Sequence, residues 1–209
     1  MKENVKEKLS YLGRSIFHPF DAFYEIRFRG KGSSLFAVLI LLVFGILQCV
    51  SYQYTGFIIN TNDLSSMNSI SIFLTWVLGL VLFIVSNWSV TTLLNGNGSM
   101  SDILKVVAYS LVPVTCTLIF QVFVSNFIIA EEAMIVYVIT GAGFVWTIFM
   151  LLAGLCVIHE YTFGKTLVSI LLTFVAAAII MFLGILFFTL VEQMVVFAVS
   201  VGKEFMRRL

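Results

Sequence analysis

The chain has 209 residues, of which 60% are apolar and only 11% charged, against about 25% charged in ordinary globular domains. Its formal net charge is +1, so no bulk electrostatic attraction points to nucleic acid. Five long apolar stretches fill nearly everything after residue 34, which leaves no room there for a sizeable soluble domain and marks an integral membrane protein.

Residues 1–34 read as a cytoplasmic, amphipathic interfacial segment. Val5, Leu9, Leu12 and Ile16 fall on one helical stripe, with Lys and Glu on the other faces. His18-Pro19-Phe20-Asp21 follows, and Pro19 can open a short helix because its missing N–H costs nothing there. Phe20, Phe23 and Tyr24 share one helix face. Aromatics interleaved with Arg27 and Arg29 suit a helix lying on lipid headgroups, where it anchors the chain or docks a partner. Gly30, Gly32 and Ser33 then allow the turn into the membrane. No cleavable signal peptide is expected, because the first apolar run begins late and is too long for one.

The transmembrane bundle, 35–209, has spans of roughly Leu35–Tyr54, Ile70–Leu94, Ile103–Phe127, Ala133–Ile158 and Leu167–Leu190. Each holds about 20 residues or more, enough to cross a hydrocarbon core of roughly 30 Å. Pro113 removes one helix hydrogen bond from the third and predicts a kink. Beyond Leu190, Glu192 and Gln193 interrupt the apolar run. A tail helix, 191–209, is expected in or near the outer interface, with a re-entrant tail as the alternative.

Charge position sets the topology. The amino-terminal segment, Lys105 and Lys165 put nine Lys/Arg on one side, while Thr55–Ser69 and the loop with Glu131 and Glu132 carry none. The positive-inside rule therefore puts the amino terminus in the cytoplasm, and five crossings then put the carboxyl terminus outside, against the pattern, because Lys203, Arg207 and Arg208 lie there.

Within the spans, Gln48, Asn87, Thr91 and Gln121 are the candidate polar intramembrane residues. Interhelical hydrogen bonding accounts for them, and a substrate cavity is the alternative. Cys49, Cys116 and Cys156 lie inside spans with no CxxC or Cys/His cluster, so no metal site or cofactor is expected. No catalytic set is visible. His159-Glu160 is half of an acid–base pair without its second half, and His159 reads as an interface residue. Asn95-Gly96-Asn97-Gly98 lacks the Lys-Ser/Thr ending of a phosphate loop and reads as a turn.

Three short pieces carry a resemblance. They are His18-Pro19-Phe20-Asp21-Ala22-Phe23; then Asn95-Gly96-Asn97-Gly98-Ser99-Met100-Ser101-Asp102, leading into Val107-Ala108-Tyr109-Ser110-Leu111-Val112-Pro113; and Leu151–Ile158 followed by His159-Glu160-Tyr161-Thr162 and Gly164-Lys165-Thr166-Leu167. Their order around five spans resembles the bacterial branch of the Yip family, multi-pass proteins named for eukaryotic members that interact with Ypt/Rab GTPases. The resemblance implies five helices in a bacterial cytoplasmic membrane and a role in membrane organisation or partner binding rather than chemistry. The Asp-Leu-Tyr-Gly-Pro-type motif of eukaryotic members is not found before the first span, so Rab binding is not carried over.

The expected molecule is an all-α, five-helix membrane bundle that acts as a non-enzymatic scaffold or accessory subunit. Its expected partners are membrane lipid and a second copy or another membrane protein. A permease-like component moving a small solute is the alternative, and a membrane-embedded enzyme built on His159 and Glu160 is a third reading.

Overall fold

The structure, a computed structural model, describes residues 12–208. Val5 and Leu9 of the expected amphipathic stripe lie outside the described residues. Residues 12–17 are helical. They lead into α1 (Pro19–Phe28), which is followed by α2 (Ser34–Tyr54), α3 (Ser69–Leu93), α4 (Met100–Ser110), α5 (Val112–Val124), α6 (Ala133–His159) and α7 (Phe163–Arg208). Among the described residues there is no strand. Among the described residues five helical units are long and apolar enough to cross a membrane, with α4 and α5 together forming one of them. The protein is thus an all-α, multi-pass membrane bundle.

Local chemistry fixes the boundaries. Asn68 caps α3 by accepting the Ser71 backbone N–H at 3.0 Å. Ser99 and Asp102 form a reciprocal capping box that starts α4. The third crossing is divided rather than merely bent: α4 ends at Ser110 and α5 opens at Val112, with Pro113 in its first turn. An N–H in a first turn has no partner within its own helix. Here the Val114 N–H donates to Thr147 Oγ1 of α6 at 3.2 Å, in a buried contact. A neighbouring helix thereby satisfies the backbone that the division exposes.

The core gathers at the end of the bundle where α1 sits. Helix α4 is its centre: Ile103, Val106, Val107, Ala108 and Tyr109 are all buried, against Phe23, Ile26, Met150, Leu155 and Ile158. Helix α7 packs mainly on α3. No boundary separates residues 190 and 191, where a distinct tail helix was expected. Instead α7 runs unbroken for 46 residues, roughly 69 Å at 1.5 Å per residue. Glu192 and Gln193 are good helix formers, so they interrupt apolarity without interrupting the helix. Every described side chain from Ile185 onward is exposed.

Candidate functional site

Three chain segments meet at the α1 end: α1 itself, the 94–99 loop with the first turn of α4, and the junction of α6 with α7. The last residue of α6, His159, is only 1% exposed. Its Nδ1 accepts the Gly98 N–H at 3.2 Å. That bond requires an unprotonated Nδ1, so the neutral ring carries its proton on Nε2, which is buried and finds no protein partner. The loop needs glycine to come this close. A Cβ at position 98 would lie 2.7 Å from His159 Cε1, and one at position 96 would lie 2.7 Å from Nδ1.

Tyr161 stacks on the imidazole at 5.3 Å between centroids. Its hydroxyl donates to the Leu94 carbonyl at 3.1 Å, and burial raises its pKa. Lys165 Nζ donates to the same carbonyl at 2.9 Å and lies 4.0 Å from the Tyr161 ring centroid. The last carbonyls of α3 are thus held by the segment that starts α7. Glu160 makes the turn between α6 and α7 in the left-handed region at φ 55°.

Helix α1 closes the same end. The segment runs alongside α6: Trp146 Nε1 donates to the Ile16 carbonyl at 3.1 Å, Phe20 meets Phe149 edge-on at 6.2 Å, and Phe23 packs at Gly154. Each contact joins residues about 130 apart, so the two helices run in the same direction. Arg27 crosses to α4 and pairs with Asp102 Oδ2 at 3.3 Å. Asp102 Oδ2 also accepts the Ser99 hydroxyl at 2.7 Å, so one carboxylate serves as helix cap and as ion-pair partner.

Glu25, 5% exposed, collects three cations. Arg29 and Arg14 approach Oε1 at 3.2 and 3.5 Å, and Lys31 reaches Oε2 at 3.2 Å. Burial pushes the Glu25 pKa up, but the hydrogen bond from Lys31 and the charges of Arg14, Lys31 and Arg29 outweigh it and hold the carboxyl below its ordinary value of 4.5.

A family model described as the Yip1 domain matches residues 13–186. The chain belongs to the Yip1 family. No curated protein and no solved structure matches it. The Yip1 match takes in all three segments of the site and ends within α7, before the exposed carboxyl-terminal part of that helix.

Within this Yip1 domain the expected interface residues divide. Phe20 and Tyr24 are half-exposed, and the Tyr24 ring lies tilted against Phe28 at 4.5 Å between centroids. Phe23 is fully buried. The three aromatics, expected toward lipid or the bundle, divide between the two: Phe23 packs at Gly154 beside Val106, while Phe20 and Tyr24 stay at the surface. Arg27, expected among lipid phosphates, is turned inward by Asp102, whereas Arg29 stays outside on Glu25. His159, expected at a free interface, is instead an internal lock for the 94–99 loop. Gly98, Asp102 and Tyr161 join the site through contacts far along the chain, and Glu25 through cations on its own segment. For Asp102 a signal was present, since Ser99-x-x-Asp before an apolar run is a capping-box pattern.

The polar intramembrane residues do not converge. Asn87 Nδ2 of α3 donates to Thr173 Oγ1 of α7 at 3.0 Å in a buried contact, and Thr91 Oγ1 donates back to the Asn87 carbonyl at 2.7 Å. Gln48 and Gln121 are half-buried on α2 and α5, neither of which forms this α3–α7 seam.

Proposed function

We propose that this Yip1-family protein is a non-enzymatic membrane scaffold or accessory subunit, seated in a bacterial cytoplasmic membrane, that binds a membrane-protein partner or a second copy through its α1 end. The observation that carries the reading is how the polar groups there are spent. His159 Nδ1, the Tyr161 hydroxyl, Lys165 and Asp102 all hold one segment of this chain to another. Such bonds make a rigid platform and commit these groups to holding the fold rather than to acting as nucleophile and base. Outward from the platform stand Phe20, Tyr24, Phe28 and Arg29, an aromatic and basic rim suited to contact with another protein.

The cationic flanks of the spans support a cytoplasmic position for this end, and five crossings then take the carboxyl terminus outside. A permease-like component would draw on Gln48, Asn87, Thr91 and Gln121. Their spread over α2, α3 and α5 favours helix packing instead.

Affinity purification of the full chain in mild detergent tests the proposal. A co-purifying protein or a homo-oligomer is expected, and it should be lost when Tyr24, Phe28 and Arg29 are replaced by Ser, Ser and Glu while membrane insertion persists. A strict monomer in several detergents, or solute flux by the protein alone in proteoliposomes, would overturn it.

A further inference from the structure

We infer that the α1 end holds one anionic phospholipid, its phosphate on Arg14, Arg29 and Lys31 and an acyl chain in an adjoining groove on α2. Two independent features carry this. The first is the charge around Glu25. Among the described residues one carboxylate faces three cations, a surplus of two positive charges, and both arginines compete for the same oxygen. The carboxylate side chain is 6% exposed, whereas those of Arg14, Arg29 and Lys31 are 52%, 63% and 46% exposed. Glu25 thus gathers the cations from beneath, and their remaining donors face outward. A phosphate offers the missing negative charge and several acceptor oxygens to planar guanidinium groups.

The second feature is a cavity of about 190 Å³ lined by Leu12, Phe36, Leu39, Ile40, Val43 and Val112. Thr115, its one polar lining residue, has its hydroxyl committed to the Leu111 carbonyl at 2.7 Å. Phe36, Leu39, Ile40 and Val43 lie on one face of α2 and descend from the turn that carries Lys31. From position 36 to 43 the groove runs roughly 10 Å down the helix at 1.5 Å per residue. An apolar groove that begins below a cationic cluster and runs along a spanning helix has the layout of a phospholipid: charged head at the boundary, chain inward. A soluble anion would leave the groove unfilled, and an apolar peptide would leave the cations unmatched.

The test uses the full chain in detergent, with phosphatidylglycerol and phosphatidylcholine of identical acyl chains supplied together and bound lipid read by native mass spectrometry. One phosphatidylglycerol is expected to remain per protein, in preference to phosphatidylcholine. Arg29→Gln leaves Arg14 and Lys31 on Glu25 and so keeps the fold. It should lower the preference about fivefold, the effect of one cation near a membrane surface. Removing Arg14 as well should lower it by a similar factor again. Val43→Phe fills the groove without touching a cation and should lose the lipid. Equal retention of the two lipids, or a preference unchanged in both Arg29→Gln and Val43→Phe, would overturn the inference. Glycerol phosphate competing as well as the intact lipid would also overturn it, because the groove would then play no part. So would a dimer carrying no lipid, since the groove would then belong to a second copy.

Discussion

The guanidinium of Arg27 and the carboxylate of Asp102 meet at 3.3 Å across 75 residues of sequence. Their contact ties the first helix to the start of the third crossing. Replacing Arg27 by Met leaves Asp102 with its Ser99 bonds but without a cation. The expected cost is about 1–3 kcal/mol, the scale of a hydrogen bond to a charged group. It should appear as a lower thermal midpoint in detergent and as faster proteolysis between residues 29 and 33. Unchanged cleavage would mean that the packing of α1 on α6 holds it without the ion pair.

Gly98 and His159 should behave as a coupled pair. Gly98→Ala drives a methyl into the imidazole and should cost about 1–3 kcal/mol. His159→Ala removes the obstacle, so the same change on that background should cost clearly less. A double-mutant cycle of thermal unfolding reads the difference. Strict additivity would show that the loop does not rest on the ring.

Acid should loosen α1 through Glu25. Its folded pKa lies below the ordinary value of 4.5. The stabilisation is therefore complete above that value and is lost as pH falls through the folded pKa. Thermal unfolding of the wild type followed from about pH 7 to pH 3 should show this decline, and Glu25→Gln should flatten it. A variant that parallels the wild type would place the acid sensitivity elsewhere.

Asn87→Leu removes the buried bond to Thr173 while Thr173 keeps its own bond to the Ser169 carbonyl. The cost should be small, about 0.6 kcal/mol and no more than about 1.7. Unfolding in mixed micelles measures it. Loss of solute flux with stability intact would instead revive the permease reading.

Deleting residues 191–209 should leave the thermal midpoint of the bundle within about 2 °C, since no described side chain there is buried. A larger fall would reveal contacts that form only in an oligomer.

Much of the fold was legible because spans follow from length and apolarity alone. Leu35–Tyr54 and Ala133–Ile158 fall within one residue of the observed α2 and α6. The division at Leu111 was visible only as Pro113, since the sequence does not say that Thr147 waits on α6 to accept the Val114 N–H. The length of α7 was hidden because Glu192 and Gln193 break hydropathy but not helix propensity. The site was legible as three short stretches and not as contacts. Hydropathy treats His159 and Arg27 as polar and therefore outward. What turns both inward is a partner far along the chain: Gly98 for one, Asp102 for the other.

The parallel packing of α1 on α6 also sets an order of assembly. Phe23 is translated long before its slot at Gly154 exists. At about 5–20 residues per second, the gap lasts on the order of 10 s. For that interval the Phe20 and Phe23 rings lack their partners on α6, and lipid covers the side of α1 that α6 will take. Docking on α6 therefore comes after the fourth crossing is inserted, so α1 reaches its final place later than helices that follow it in the chain.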